Sequence, residues 1–535
     1  MKVDLHKAFD SVHWDFIREL LDHLHFPPQF TRWVMACISS VSYSILVNGI
    51  TGEEFKGGRG LKQGDPLSPL LFVLTMDYFS RLMQHYCTQP GFGYHPHCRA
   101  LGLTHLMFAD DVMLFCRADR TSISFIKEAL HSLNQVTGLR ANMSKSQVVF
   151  GGCDARLKQE CLDCCGFQEE SLPLIYLGVP ITASRLSKLE CRTLVDKITG
   201  RIHTWSSHNL SFAGRAQLLN SDVFGMFNYW ASIFLLPQMV IDQLNRVCRN
   251  FFWGGKAEYI KTPYISWNMV CMPKNNGGIG LRNLEKWNKA CVAKLVWMVA
   301  LKKDNLWVKW VHGKYLRTAS WLAYSPPDSN WYLKKIGQVK DIFLPLLSNA
   351  NPRPYRVKEG YNWLIHSSLR PPWNKFVWAR LALPRHRFTA WLFFHRRLPV
   401  KDRLAHLHQR QDVICNLCDS STESQDHLFF ECQWSIDLWH KVTTWWPLPP
   451  LGTYDDFLRS MRGITGNRYH RQTTYAVALA VIYHIWRSRN HRIFKQALLP
   501  PSLVSQQLKE LLLQRVLYIH QIGGHYDPTI NILLQ

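Results

Sequence analysis

The chain opens on Lys2-Val3-Asp4-Leu5, a polar–apolar alternation that predicts the end of a short strand. Apolar residues then recur at Phe9, Val12, Phe16, Leu20 and Leu24, the spacing of a helix that stops before Pro27-Pro28. Tyr43 to Val47 is rich in β-formers and is closed by Asn48-Gly49, with Glu54 to Lys56 as hairpin partner. A glycine-rich loop from Gly57 to Pro69 leads into an apolar helix from Leu70 to about Met83, with Ser68 as cap and Pro69 in its first turn. Leu106 to Phe115 sets two apolar strands around Asp110-Asp111 and predicts a tight hairpin with carboxylates at its tip. From Leu186 to Phe252 the pattern is mostly helical, broken at Trp253-Gly254-Gly255 and at Gly277-Gly278-Ile279-Gly280. Helices continue to about Leu316, with Trp287, Cys291, Leu295 and Met298 spaced to face one core. Pro326, Pro327, Pro352 and Pro354 mark residues 323–358 as a linker region, and Tyr469 to Phe494 reads as an amphipathic helix.

At 535 residues the chain exceeds one core, so three or four domains are expected. With 47% hydrophobic and 19% charged residues it is of globular type. No run of 18 apolar residues occurs, so no membrane span is expected, and the start lacks a signal-peptide pattern. The 15 scattered cysteines point to reduced thiols, hence to an intracellular protein of the cytoplasm or nucleus that is not secreted. A net charge of +24 calls for a polyanionic partner, a nucleic acid or an acidic membrane surface. That charge is uneven: residues 1–180 hold 16 Lys/Arg against 18 Asp/Glu, which leaves +26 for residues 181–535. Of 21 tryptophans only Trp14 and Trp33 precede residue 200. A neutral module is therefore followed by a basic, aromatic-rich one suited to phosphates and bases.

Two chemical signals stand out. Asp110 and Asp111 are adjacent like charges whose repulsion a metal would relieve, and Asp4 ends another strand that could come alongside. Three carboxylates at strand ends are what two Mg²⁺ ions about 3.5–4 Å apart require for in-line phosphoryl transfer. The second signal is Cys415-x₂-Cys418-x₈-His427-x₄-Cys432, three thiolates and an imidazole for one tetrahedral, structural Zn²⁺. Near it runs a basic stretch, Arg380, Arg385, His386, Arg387, His395, Arg396, Arg397, Lys401 and Arg403, with Trp378, Trp391 and Phe394 interleaved. It suggests contact with nucleic-acid phosphates, Arg385, Arg387, Arg396 and Arg397 foremost. His95-Pro96-His97-Cys98 and Cys161-x₂-Cys164-Cys165 lack a full ligand set and are assigned no metal.

Five motifs in order resemble the reverse transcriptases of non-LTR (LINE-type) retrotransposons. They are Val3-Asp4-Leu5 with Lys7 to Asp10, Gly60 to Phe72, Phe108 to Asp111, Gly138 to Ser146, and Tyr176 to Pro180. Leu210 to Arg215 resembles the continuation seen in plant elements, and the Cys/His segment their zinc-binding region. The resemblance implies an α+β polymerase palm, an antiparallel sheet with helices, followed by mostly α-helical thumb and zinc-bearing modules. It implies boundaries at 1–182 (palm), 183–322 (thumb and connection), 323–358 (linker), 359–446 (zinc-binding module) and 447–535 (helical tail). It further implies RNA-directed DNA polymerase chemistry on an RNA template and DNA primer or target, with dNTPs as substrates. Asp4 and Asp110 would hold the metals with Asp111 assisting; Lys145 would protonate the departing pyrophosphate. Phe9 would stand against the sugar 2′ position, Gln63 and Gly64 would contact nucleotide and template, and Tyr176, Leu177 and Gly178 the primer. Because Met1 lies three residues before Asp4, the fingers are expected to be missing, the strand bearing Asp4 weakly held and polymerisation poor. The few acids beyond residue 440 (Asp455, Asp456, Glu510 and Asp527) lead to no expectation of a ribonuclease H domain. An inactive nucleic-acid-binding relic and a maturase-like polymerase are the alternatives. Oligomeric state is not specified.

Overall fold

Val3 and Leu5 are apolar and alternate with Lys2 and Asp4, so one side of the first strand can be buried while the other stays polar. In the computed structural model, this strand is β1 (Lys2–Asp4), and Val3 and Leu5 lie in a core with Val112, Leu114, Phe72, Phe79, Ile126 and Leu133. The structure describes residues 1–206, 209–258, 262–317, 319–324, 330–347, 354–365, 370–408, 413–450 and 452–523. The chain divides into two units, 1–185 with 302–324, and 186–301 with 325–535.

In the first unit Asn48 and Gly49, both at positive φ, join β3 (Leu46–Val47) to β4 (Ile50–Thr51), and β2 (Ser42–Tyr43) pairs with β5 (Phe55–Lys56). Asn and Gly take that conformation at low steric cost, as the turn signal anticipated. β6 (His105–Phe108) and β7 (Asp111–Leu114) form the acid-tipped hairpin. With β8 (Gln147–Val148) and β9 (Gln168–Glu169) they complete a five-stranded sheet in the order β6-β7-β1-β8-β9. All its pairs are antiparallel except β8 with β9. β10 (Leu174–Tyr176) and β11 (Val179–Ile181) make a separate hairpin. The helices Ser68–Cys87 and Arg120–Thr137 pack together in the same core. The first begins earlier and ends later than its apolar run suggested. Ser68 is its buried first residue rather than a cap, and the Asp65 carboxylate accepts the Leu67 amide at 2.8 Å.

The helix expected through Phe9 and Leu24 is two, Ala8–Ser11 and Trp14–His23, with Val12 extended between them. Tertiary contacts account for the break. The His13 amide donates to Thr137 O at 2.9 Å, and the Gly60 amide to Val12 O at 2.8 Å. Gly138, at φ +80°, packs so close that an added Cβ would lie 2.4 Å from Ser11 O. Residues 302–324 join this unit through Trp310, whose indole donates to His97 O at 3.3 Å.

The second unit is helical. Its helix Leu284–Ala300 is buried on several sides, against Phe224–Ile233, Gln238–Gly254, Trp331–Leu347 and Val357–Ile365, and its buried face is wider than the expected stripe. Asn288 anchors it, accepting the Leu236 amide at 2.8 Å and donating to Ala231 O and Phe234 O. The region read as a linker, 323–358, contains the helix Trp331–Leu347, whose Leu333, Ile336, Val339 and Phe343 are buried. Prolines flank a segment that carries its own apolar face, so they mark its ends and not a structureless stretch; Pro326, Pro327 and Pro352 lie outside the described residues. The C-terminal region is no detached tail either. The helix Arg468–Lys495 is buried on most sides from Thr473 to Ile485 and packs on Pro384–Phe394, while Pro501–Gly523 packs on Gln433–Thr443. Asp527 lies outside the described residues.

Two imidazoles sit between those helices without charge. Burial holds His386 down to about 2 and His484 to about 4, with Arg385 opposing protonation of both. Above about pH 6.5 neither binds a proton in either state. Below it the unfolded chain takes protons the folded one refuses, so stability falls with pH toward about 4. His386→Phe should raise the urea midpoint relative to the unsubstituted chain at pH 5 and leave it nearly unchanged at pH 8. In the first unit, Gly138→Ala should lower stability by about 2 kcal/mol or more in urea unfolding, because positive φ and the Ser11 contact both oppose it.

Candidate active site and metal centre

Register decides where the acids meet. β1 pairs with β7 so that Asp4 stands opposite Asp111 and Lys2 opposite Met113, and β6 pairs with β7 so that Phe108 also faces Asp111. Directly paired residues share a face. The solvent face of the sheet therefore carries Lys2, Asp4, Leu106, Phe108, Asp111 and Met113, opposite the buried Val3, Val112 and Leu114. Asp110 is exposed in the two-residue turn, after Ala109 at φ +51°. A non-glycine residue there is strained, and the tip is held by the ladders on its flanks.

β1 is not weakly held. It is the central strand; the Asp4 amide donates to Ser146 Oγ at 3.2 Å, and Asp4 O accepts the Asn142 amide at 2.7 Å. The amino terminus donates to Leu114 O at 2.8 Å, and Lys2 Nζ to Ile175 O at 3.0 Å. Ser146 was not anticipated as a site residue; its signal is only its place at the end of the Gly138–Ser146 motif. Lys145 beside it is exposed.

Phe9 is half-buried and stacked on Phe72 with ring centroids 4.5 Å apart. Its carbonyl accepts the Leu61 amide at 2.7 Å, tying the helix Ala8–Ser11 to the glycine loop. Gln63 and Gly64 are exposed; Gly64 has φ +93° and open space where a Cβ would stand. Tyr176, Leu177 and Gly178 form the tip of the β10–β11 hairpin, Leu177 and Gly178 both at positive φ. Burial, and then the nearby Asp111 carboxylate, raise the Tyr176 phenol above its ordinary value, and the Lys2–Ile175 hydrogen bond ties this hairpin to β1.

Among the described residues, the candidate ligand atoms of Cys415, Cys418, His427 and Cys432 all lie within 4.8 Å of one another. The palm acids form no such set; carboxylates without a counter-ion repel. Cys415 and Cys432 are fully buried, and His427 Nε2 lies 3.3 Å from Cys418 Sγ. His427 Nδ1 is 3.9 Å from the exposed Glu431 carboxylate, too far for a direct hydrogen bond. A hydrogen bond from Cys415, opposed by burial, holds the Cys432 thiol below its ordinary value and pushes Cys415 up. The donor set fits tetrahedral zinc and leaves no fifth protein ligand.

The zinc loop is anchored by Glu423, which the sequence did not flag. Its carboxylate takes Arg489 Nη2 at 2.6 Å and the Lys401 amide at 2.9 Å, with Glu423 0% and Arg489 6% exposed.

The basic stretch separates into different environments. Arg385 and Arg397 are exposed, and Arg396 is paired with Asp426 at 3.0 Å and lies over Tyr454. Arg387 is half-buried, and His386 fully buried. Trp391 and Phe394, interleaved with the basic residues, are core residues. The helix Pro384–Phe394 is enclosed from Thr389 to Phe394, which local charge density does not reveal.

Comparisons with known proteins agree with this geometry. Residues 1–181 match the family model described as reverse transcriptase (RNA-dependent DNA polymerase), and 355–439 the model for zinc-binding in reverse transcriptase. The chain is 31% identical over 157 residues to a putative ribonuclease H protein of Arabidopsis thaliana, covering 29% of this chain and 25% of that protein. It is 26% identical over 293 residues to an uncharacterised 149 kDa protein of transposon TX1 from Xenopus laevis, covering 52% of this chain and 21% of that protein. It is 30% identical over 208 residues to a retrovirus-related Pol polyprotein from the type-2 retrotransposable element R2DM of Drosophila melanogaster, covering 36% and 18%. The chain thus spans between 18% and 25% of the length of these relatives. Among the described residues no helix is long and apolar enough to cross a membrane. Residues 1–181 thus carry a reverse transcriptase domain and residues 355–439 a zinc-binding region of the kind found in reverse transcriptases, and the relatives of the chain include polyproteins of non-LTR retrotransposons.

Proposed function

We propose that the palm transfers a deoxynucleotide from a dNTP to the 3′-hydroxyl of a primer on an RNA template, with Mg²⁺ held by Asp4, Asp110 and Asp111. The observation that carries this reading is the strand register that sets Asp4 opposite Asp111 beside the Asp110 turn. Bound there, divalent ions would activate the hydroxyl and neutralise charge on the departing phosphates. The protein's own part is positioning. Phe9, stiffened by Phe72, stands against the sugar 2′ position and favours deoxynucleotides. Gly64 lets nucleotide and template approach the backbone, with Gln63 beside it. Lys145 donates a proton to pyrophosphate, and the Tyr176-Leu177-Gly178 turn supports the primer end beside Asp111.

The Cys415, Cys418, His427 and Cys432 set holds one structural Zn²⁺, which requires a reducing compartment, nucleus or cytoplasm. Arg385 and Arg397 grip phosphates of template RNA or target DNA. Arg396 contributes less, because Asp426 already engages it.

Purified chain given primed RNA, Mg²⁺ and dNTPs should extend the primer, and Asp110→Asn should cut extension by about 10²-fold or more. RNA binding without extension at any Mg²⁺ concentration would favour the inactive-relic reading. Elemental analysis should find one zinc per chain, and Cys418→Ser should lower it. Glu423→Gln should leave zinc at one while lowering stability in denaturant by about 3–5 kcal/mol, since Arg489 would be buried without its partner.

A further inference from the structure

Cations that lose solvent usually meet carboxylates, because a buried unpaired charge is costly. Two arginines of the second unit depart from this, and an exposed lysine, Lys274, adds to their charge. Arg387 donates through Nη2 to Arg380 O at 2.7 Å, but its Nε is buried with no acceptor. Arg515, on the helix Pro501–Gly523, also has a buried Nε with no acceptor. Lys274 holds its ammonium 5.0 Å over the ring of Trp378, whose indole Nε1 is a third buried donor without an acceptor. Among the described residues no carboxylate pairs with Arg387, Arg515 or Lys274.

Arg387 stands between the other two in charge. After burial, the charge of Arg515 is what lowers the proton affinity of Arg387, and that of Arg387 lowers Lys274's. The packing brings their elements together: the turn Lys274–Asn276 and the helix Pro384–Phe394 both pack on the helix Asn374–Val377 that precedes Trp378, and Pro384–Phe394 and Pro501–Gly523 both pack on Arg468–Lys495. Three cations, each repelled by the next, and three N–H groups lacking acceptors have one shared remedy, an anion with several oxygens.

We propose that Arg387, Arg515, Lys274 and the indole N–H of Trp378 form a phosphate-binding site separate from the palm acids and from the Cys₃His centre. A guanidinium fork matches phosphate oxygens, and a lysine adds a point charge at the rim. Phosphates of a nucleic-acid backbone and of a small phosphorylated compound offer the same oxygens. The site deepens the nucleic-acid reading of the basic stretch and rests on it only for Arg387; it uses nothing in the palm, so an inactive palm leaves it testable.

The test uses the full chain, Lys274→Gln, and the double variant Arg387→Gln/Arg515→Gln. At matched ionic strength, inorganic phosphate in place of chloride should raise the unfolding temperature of the unsubstituted chain, and both variants should lose that response. Without phosphate the double variant should melt no lower than the unsubstituted chain, since repulsion has been removed. Labelled single-stranded RNA then separates the two sources. A five- to tenfold loss of affinity in the double variant, with the salt slope reduced by about one per removed cation, identifies backbone phosphate. Unchanged RNA affinity together with the lost phosphate response identifies a small phosphorylated ligand. An equal phosphate response in all three chains overturns the proposal. So does a double variant that melts lower without phosphate while Lys274→Gln keeps the full response, since that pattern describes cations serving the fold alone.

Discussion

The register between β1 and β7 is the constraint on which the palm depends. Side chains along a strand alternate, so a slip of one residue would bury Asp4 and expose Val3. The core of Val3, Leu5, Val112 and Leu114 fixes the register, and the same alternation delivers Asp4 and Asp111 to the opposite face. Hydrophobic burial thus supplies the force that holds two repelling carboxylates together. The ladder on the other flank, through Ser146, Asn142 and Gln147, keeps the strand from yielding to that repulsion.

Much of this was readable from the residues. The Asn48-Gly49 hairpin, the acid-tipped hairpin and the Cys₃His spacing each rest on local chemistry, and each formed as its pattern implied. What escaped depends on distant partners. The break at Val12 is imposed by Gly60 and Thr137, whose positions along the chain give no warning. The helix Trp331–Leu347 was hidden by prolines on both sides, although Leu333, Ile336, Val339 and Phe343 carry its apolar spacing. The weak hold expected for β1 considered only what precedes it, whereas both its neighbours come from later in the sequence.

The basic half shows how far composition misleads at single residues. The run around Arg385 is dense in charge, yet His386 is a neutral core group and Trp391 donates its indole proton to Gly277 O at 2.7 Å. Net charge states what kind of partner suits the surface; burial decides which cations are available to it.

The Glu423–Arg489 pair spans the nominal end of the zinc-binding region, since residue 489 lies well beyond the matched stretch 355–439. A fragment cut to that stretch would strand a carboxylate in an apolar interior and bare the flank of Pro384–Phe394 that the long helix covers. The folding module is therefore larger than the recurring motif, and excising the motif alone should give an insoluble polypeptide whatever metal is supplied.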